Sequence, residues 1–316
     1  MQQLWRALAL VLCLTLLVPC AVACQTPTAD SDRLRIVCTV FPQYDIATHI
    51  AGDNAECFML LETGKGDSHA WEPTVSQFAL VADADLFLAV GGESESWTEE
   101  LLHACELPES RVLRMLDVVE GLSAHESHGH EHGHAGHDHL DEHLWTDPDN
   151  MVTVAHAIAD LLCAVDPAQT AYYRQNEAEY VEGLNRLSAA YHAALDTAPR
   201  KTVVVADRFP FRYLAHAYGL TYLAAFPGCA SDTEPSLQTI HALMCAVEEQ
   251  SLPVVLYVAD SSQRIADVVC EGTGASKRAL HACHTVSAAE LAAGETYLSL
   301  MEQNLNVLKE ALGICS

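Results

Sequence analysis

Short apolar runs alternate with amphipathic stretches between residues 35 and 120. RIVCTV leads to a helical pattern around 43 to 51, CFMLL to a helix from about Ser76, LFLAVG to a helix from about Ser96, and VLRML closes the series. Strand, helix and strand in succession predict βαβ units on a parallel sheet, whose strands are covered on both faces and so read as unbroken apolar runs. From Pro199 the pattern restarts with KTVVVA, a helix near 211 to 218, LTYLAA, a helix from Ser236, PVVLYVA, a helix near 263 to 271, RALHA, and a last helix ending LSLMEQNLNVLKEAL. The expected fold class is therefore α/β, with two α/β lobes carrying parallel sheets over residues 33–150 and 199–316.

Residues 151–198 lack strand character and form an expected helical linker. Within it Tyr180, Leu184, Leu187, Tyr191 and Leu195 recur on one face of a 3.6-residue helix over a pattern running from Pro167 to Thr197. A helix of roughly 29 residues would span roughly 43 Å, long enough to brace both lobes. Two helices broken near Gly183 are the alternative.

Residues 1–24 add a different signal. Arg6, an apolar stretch from Leu8 to Val18, and small residues Ala21 and Ala23 ahead of Cys24 read as a secretory leader, too short and too quickly followed by QTPTADSD to span a membrane. Small residues before a cysteine resemble a bacterial lipobox, with Cys24 as the lipidated residue and the membrane contact made through that lipid. Plain secretion after Ala21-Val22-Ala23 is the alternative.

Charge narrows the partners. Sixteen Lys and Arg stand against 43 Asp and Glu among 316 residues, a formal charge of −27. Affinity for phosphate backbones and anionic headgroups rests on clustered Lys and Arg, so nucleic acid is excluded as a partner. Half of the residues are hydrophobic, enough to build packed cores. The nine cysteines beyond Cys24 form no CxxC pair and cannot all pair within one molecule.

Histidine is the chemical anomaly. HESHGHEHGHAGHDH carries His125, His128, His130, His132, His134, His137 and His139, seven imidazoles in fifteen residues with no large apolar side chain to pack. Neutral imidazole ligates zinc, copper and nickel, so this run reads as an auxiliary metal-binding loop. GKGDSHAWEPT around His69, DEHLWTDPDN around His143, and RALHACHTVS around His281 and His284 place further histidines where strands give way to loops. In open α/β folds ligands bind at the carboxyl ends of the strands.

TVFPQYDIATHIAGD, GKGDSHAWEPT, ADADLFLAVGGESESW, the histidine run, DEHLWTDP, the long helical segment, RYLAHAYGL and GETYLSLMEQNLNVLKEAL together resemble the zinc/manganese-type solute-binding lipoproteins of bacterial metal ABC transporters. The resemblance implies two lobes joined by one rigid helix, one divalent metal between them, a monomer, anchorage on the outer face of the cell membrane, and a membrane permease as partner. It implies His69 and His143 as the first two ligands. At the third position this chain departs, because Arg208 stands where the family carries histidine and a guanidinium does not ligate metal. Asp207 is the neighbouring oxygen donor, and the fourth position falls near His281 and His284. The expected site is His69, His143 and one of His281 or His284, with Asp207 and the Cys283 thiolate as alternatives. A histidine-dominated set favours Zn2+ over Mn2+. Zinc capture for a permease is the expected function. The alternatives are a surface zinc buffer or adhesin, and a zinc-dependent hydrolase; no HExxH string supports the last.

Overall fold

The computed structural model describes residues 33–61, 73–123, 140–226 and 234–314. Cys24, His69 and the run His125–His139 lie outside the described residues. The described residues from Leu34 onward form one compact unit.

The first sheet comprises β1 (Leu34–Cys38), β2 (Ala55–Met59), β3 (Leu86–Ala89) and β4 (Val112–Arg114), ordered β2-β1-β3-β4. The second comprises β5 (Thr202–Val205), β6 (Thr221–Ala224), β7 (Val254–Val258) and β8 (Ser276–Leu280), ordered β6-β5-β7-β8. Every pairing in both sheets is parallel. The two α/β units expected from the alternating pattern thus share one topology. Between strands run α1 (Phe41–Ala51), α2 (Val75–Ala82), α3 (Trp97–Ala104), α4 (Met115–Val118), α5 (Pro148–Val165), α6 (Thr170–Leu195), α7 (Arg212–Ala217), α8 (Leu237–Glu249) and α9 (Arg264–Thr273), and α10 (Ala288–Ala293) and α11 (Tyr297–Leu312) follow β8.

The long helix is continuous. A 3-10 turn over Pro167–Gln169 leads into the 26 residues of α6, which pass Gly183 unbroken. A Cβ at Gly183 would stand 2.8 Å from Leu298 Cδ1, so the missing side chain lets α11 approach α6 closely. The five residues of the apolar stripe are all buried. Their polar tips reach opposite ways: Tyr180 Oη donates to Asp45 Oδ2 on α1 at 2.7 Å, and Tyr191 Oη donates to the Met301 carbonyl on α11 at 2.7 Å. Each such bond contributes about 1 kcal/mol, and each buried aromatic body considerably more. The helix is thereby fixed to both lobes.

One core cluster accordingly runs through both lobes, from Ile36 and Ile46 through Leu184 and Tyr191 to Leu256 and Leu308. The outer face of each sheet has its own smaller cluster, with Val81, Leu101 and Leu102 covering the first and Leu243, Val247 and Val269 the second. Among the described residues no single helix is long and apolar enough to cross a membrane. The cysteines at 38, 57, 105, 163, 245, 270 and 283 are free thiols.

Candidate metal centre

Three of the predicted ligands, His143, His281 and His284, lie among the described residues. His143 lies just ahead of a 3-10 turn, Leu144–Thr146, that leads into α5, and His281 and His284 follow β8. The two segments are stitched together. Trp145 Nε1 donates to the Ala282 carbonyl at 2.7 Å, Tyr297 Oη donates to the Trp145 carbonyl at 2.6 Å, and Phe41 N donates to the His284 carbonyl at 3.0 Å.

His143 is oriented by a carboxylate. Asp141 Oδ1 accepts from the His143 backbone amide at 2.9 Å and from His143 Nδ1 at 3.0 Å. Arg212 Nε stands 3.5 Å from Asp141 Oδ2, with both side chains largely buried. Burial pushes the Asp141 carboxyl up, but the hydrogen bonds from His143 and then the Arg212 charge outweigh it, so it titrates below its ordinary value. An ionised carboxylate on Nδ1 keeps the proton there and leaves the Nε2 lone pair free, the orientation that a carboxylate gives a histidine in a carboxylate–histidine–metal triad. Asp141 was not among the residues singled out from the sequence. The legible signal was its place two residues before His143, where an Asp side chain closes on the amide two positions on.

The two second-lobe histidines part company. The His284 ring lies 6.4 Å from the His143 ring, centroid to centroid, and stacks on Trp145 at 5.5 Å and 8°. His281 faces its own lobe. Its Nδ1 accepts from the Cys283 amide at 2.9 Å, which leaves the proton on Nε2, 3.6 Å from Glu290 Oε1. Burial lowers the His281 pKa, against the opposing pull of Glu290 and Asp260. Asp260, His281 and Glu290 form a group whose ligand atoms lie within 4.8 Å of one another. A metal at Nε2 would need the proton on Nδ1, opposite the Cys283 N–H, so this tautomer resists coordination. The separation originates at Cys283, a buried residue with φ of 56°. That left-handed turn sends positions 281 and 284 to different sides, although i and i+3 share a face in a helix.

Asp207 is engaged elsewhere. Its Oδ1 accepts from Arg208 N at 2.8 Å, and its Oδ2 accepts from Val258 N at 3.2 Å and from Ser261 Oγ. Among the described residues Asp207 joins the ends of β5 and β7 and belongs to no group of three metal-ligating side chains. Arg208 is half-buried, so the cost of removing it falls below that of a fully buried ion pair. Cys283 is fully buried and burial raises its thiol, which suits packing and not a thiolate ligand.

Glu95 is the other unusual group at the strand ends. It is 1% exposed, Oε2 accepts from Val90 N at 2.7 Å and Gly91 N at 3.1 Å, and Oε1 has no hydrogen-bond partner among the described residues. Burial raises its carboxyl to about 7. The folded chain thus holds this proton more tightly than the unfolded chain, whose carboxyl titrates near about 4.3. That stabilisation is complete below the unfolded value and is lost as pH rises through about 7. The unfolding free energy from urea titrations should therefore drop more from pH 5 to pH 8 for the parent than for Glu95→Gln, by up to roughly 3 kcal/mol. Parallel pH profiles would mean that the carboxyl stays ionised.

Two parallel four-stranded sheets braced by one continuous helix, with imidazoles gathered at the strand ends, define a solute-binding protein of the metal-binding type. Residues 36–311 match the family model "Zinc-uptake complex component A periplasmic", and the chain belongs to that family. It is 30% identical over 292 residues to the zinc-binding lipoprotein AdcA of Streptococcus pneumoniae, covering 92% of this chain but 58% of AdcA. It is 28% identical to the high-affinity zinc uptake system protein ZnuA of Bacillus subtilis, covering 99% of both chains. The Zn(II)-bound ZnuA-like domain of S. pneumoniae AdcA superposes with a TM-score of 0.73 at 28% identity, covering 89% of this chain and 99% of that domain. This is a family of metal-binding transport proteins, not of enzymes.

Proposed function

We propose that the chain is exported, anchored through Cys24, and captures zinc with His69, His143 and His284 for delivery to an ABC-transporter permease. The observation that carries the reading is His143, with its tautomer set by Asp141, facing His284 across the junction of the two lobes. Neutral nitrogen donors suit tetrahedral zinc, and manganese prefers more oxygen. The zinc-binding names of the relatives and the Zn(II)-bound AdcA domain support zinc as cargo. Asp141 and Arg212 hold the coordinating ring, Trp145 flanks His284, and α6 fixes the lobes around them. The histidine run His125–His139 supplies weaker sites.

Zinc titration of the exported portion tests this. One tight site should survive deletion of residues 125 to 139, and the seven histidines' weak binding should go. Loss of tight binding on deletion would move the primary site into the run. Imidazole must shed its proton to ligate, so affinity should fall steeply as pH drops through about 6 to 5. A flat profile there would assign the metal to carboxylates. Delivery is tested by zinc-dependent growth and uptake in cells lacking the protein; unchanged uptake would favour the buffer.

A further inference from the structure

Helix α8 buries Leu243, Ala246 and Val247 against the outer face of the second sheet, which leaves His241 exposed and Cys245 at the margin. Four residues apart, the two side chains are neighbours one turn apart on the same face. Cys245 Sγ lies 3.5 Å from His241 Nδ1 and 3.8 Å from Nε2, and Cys245 is a free thiol. A tetrahedral zinc held by a thiolate at about 2.3 Å and an imidazole nitrogen at about 2.0 to 2.1 Å sets its two donors about 3.6 Å apart. The pair already stands at that separation on one rigid element.

We propose that His241 and Cys245 form a second, weaker site for a thiophilic divalent cation, zinc foremost, on the outside of the second lobe and apart from the junction site. Thiolate with imidazole selects zinc or copper over manganese and magnesium. Binding forms a sulfur–metal and a nitrogen–metal bond and releases the thiol proton to solvent. Water completes the coordination. The location distinguishes Cys245 from Cys38 and Cys283, which are buried in the core cluster with thiols held up by burial.

The probe is zinc alone, buffered at set free concentrations, on the whole exported chain. Iodoacetamide alkylation of Cys245 is followed by mass spectrometry of its peptide. Zinc is expected to slow that alkylation at least about tenfold, because a metal-held thiolate is withdrawn as a nucleophile. His241→Ala should abolish most of the protection. Cobalt should give a near-ultraviolet thiolate-to-metal absorption that Cys245→Ser removes. Alkylation indifferent to zinc, or protection undiminished in His241→Ala, would overturn the site and leave only a thiol–imidazole hydrogen bond. Tight zinc binding should be unchanged in both variants, which reports that they are folded and keeps this site's failure separate from that of the junction site.

Discussion

Alanine at His284 is expected to weaken zinc binding by at least about 10- to 100-fold, as is alanine at His143, whereas His281→Ala should leave the affinity near the parent value. The lower bound comes from the cost of losing even an outer partner of a ligand, which a lost ligand should exceed. The inequality between His281 and His284 is the sharper claim. His284 stacks on Trp145 and faces His143, while both ring nitrogens of His281 are committed to Cys283 N and Glu290. Competition against a chelator of known affinity measures all three. A loss at His281→Ala larger than at His284→Ala would reverse the assignment. Asp141→Asn should lie between, because it keeps the contact but no longer holds the proton on Nδ1.

Trp145→Ala should lower stability by about 3 to 5 kcal/mol, the usual range for emptying a buried aromatic site. The indole is 1% exposed, its Nε1 donates to the Ala282 carbonyl at 2.7 Å, and its plane lies 8° from that of His284. Truncation leaves a cavity, strands the part-buried Ala282 carbonyl and removes the surface on which His284 rests. Zinc affinity should therefore fall alongside stability. Trp145→Phe separates the contributions, since it keeps most of the apolar body and loses the donor, at about 1 to 3 kcal/mol. Urea unfolding measures both. A loss under about 1 kcal/mol for Trp145→Ala would show that the loop ahead of α5 is not packed on the second lobe.

The contrast between His281 and His284 also marks where sequence reasoning stopped. Two histidines three apart are indistinguishable in a string, and what divides them is a left-handed residue whose geometry depends on Cys283 being buried and on Phe41 N holding the His284 carbonyl. Asp207 illustrates the same limit. Its oxygen chemistry made it a ligand candidate, but donors from Val258 and Ser261, more than fifty positions away, occupy the carboxylate. Asp141 was nearer to hand, because a carboxylate two residues before an amide is a local turn.

The signals legible in the chain are local or periodic: continuous apolar runs for doubly covered parallel strands, one apolar stripe for a helical segment that could still have broken at Gly183, and imidazole chemistry at the ends of strands. Those signals survive because they depend on residues within a few turns of each other. Which imidazoles meet, which tautomer each adopts and which carboxylates already hold donors follow from long-range contacts. Such choices rest on hydrogen bonds between residues far apart in the chain, such as Tyr180 with Asp45 and Trp145 with Ala282. Only the assembled fold brings those donors and acceptors within bonding distance.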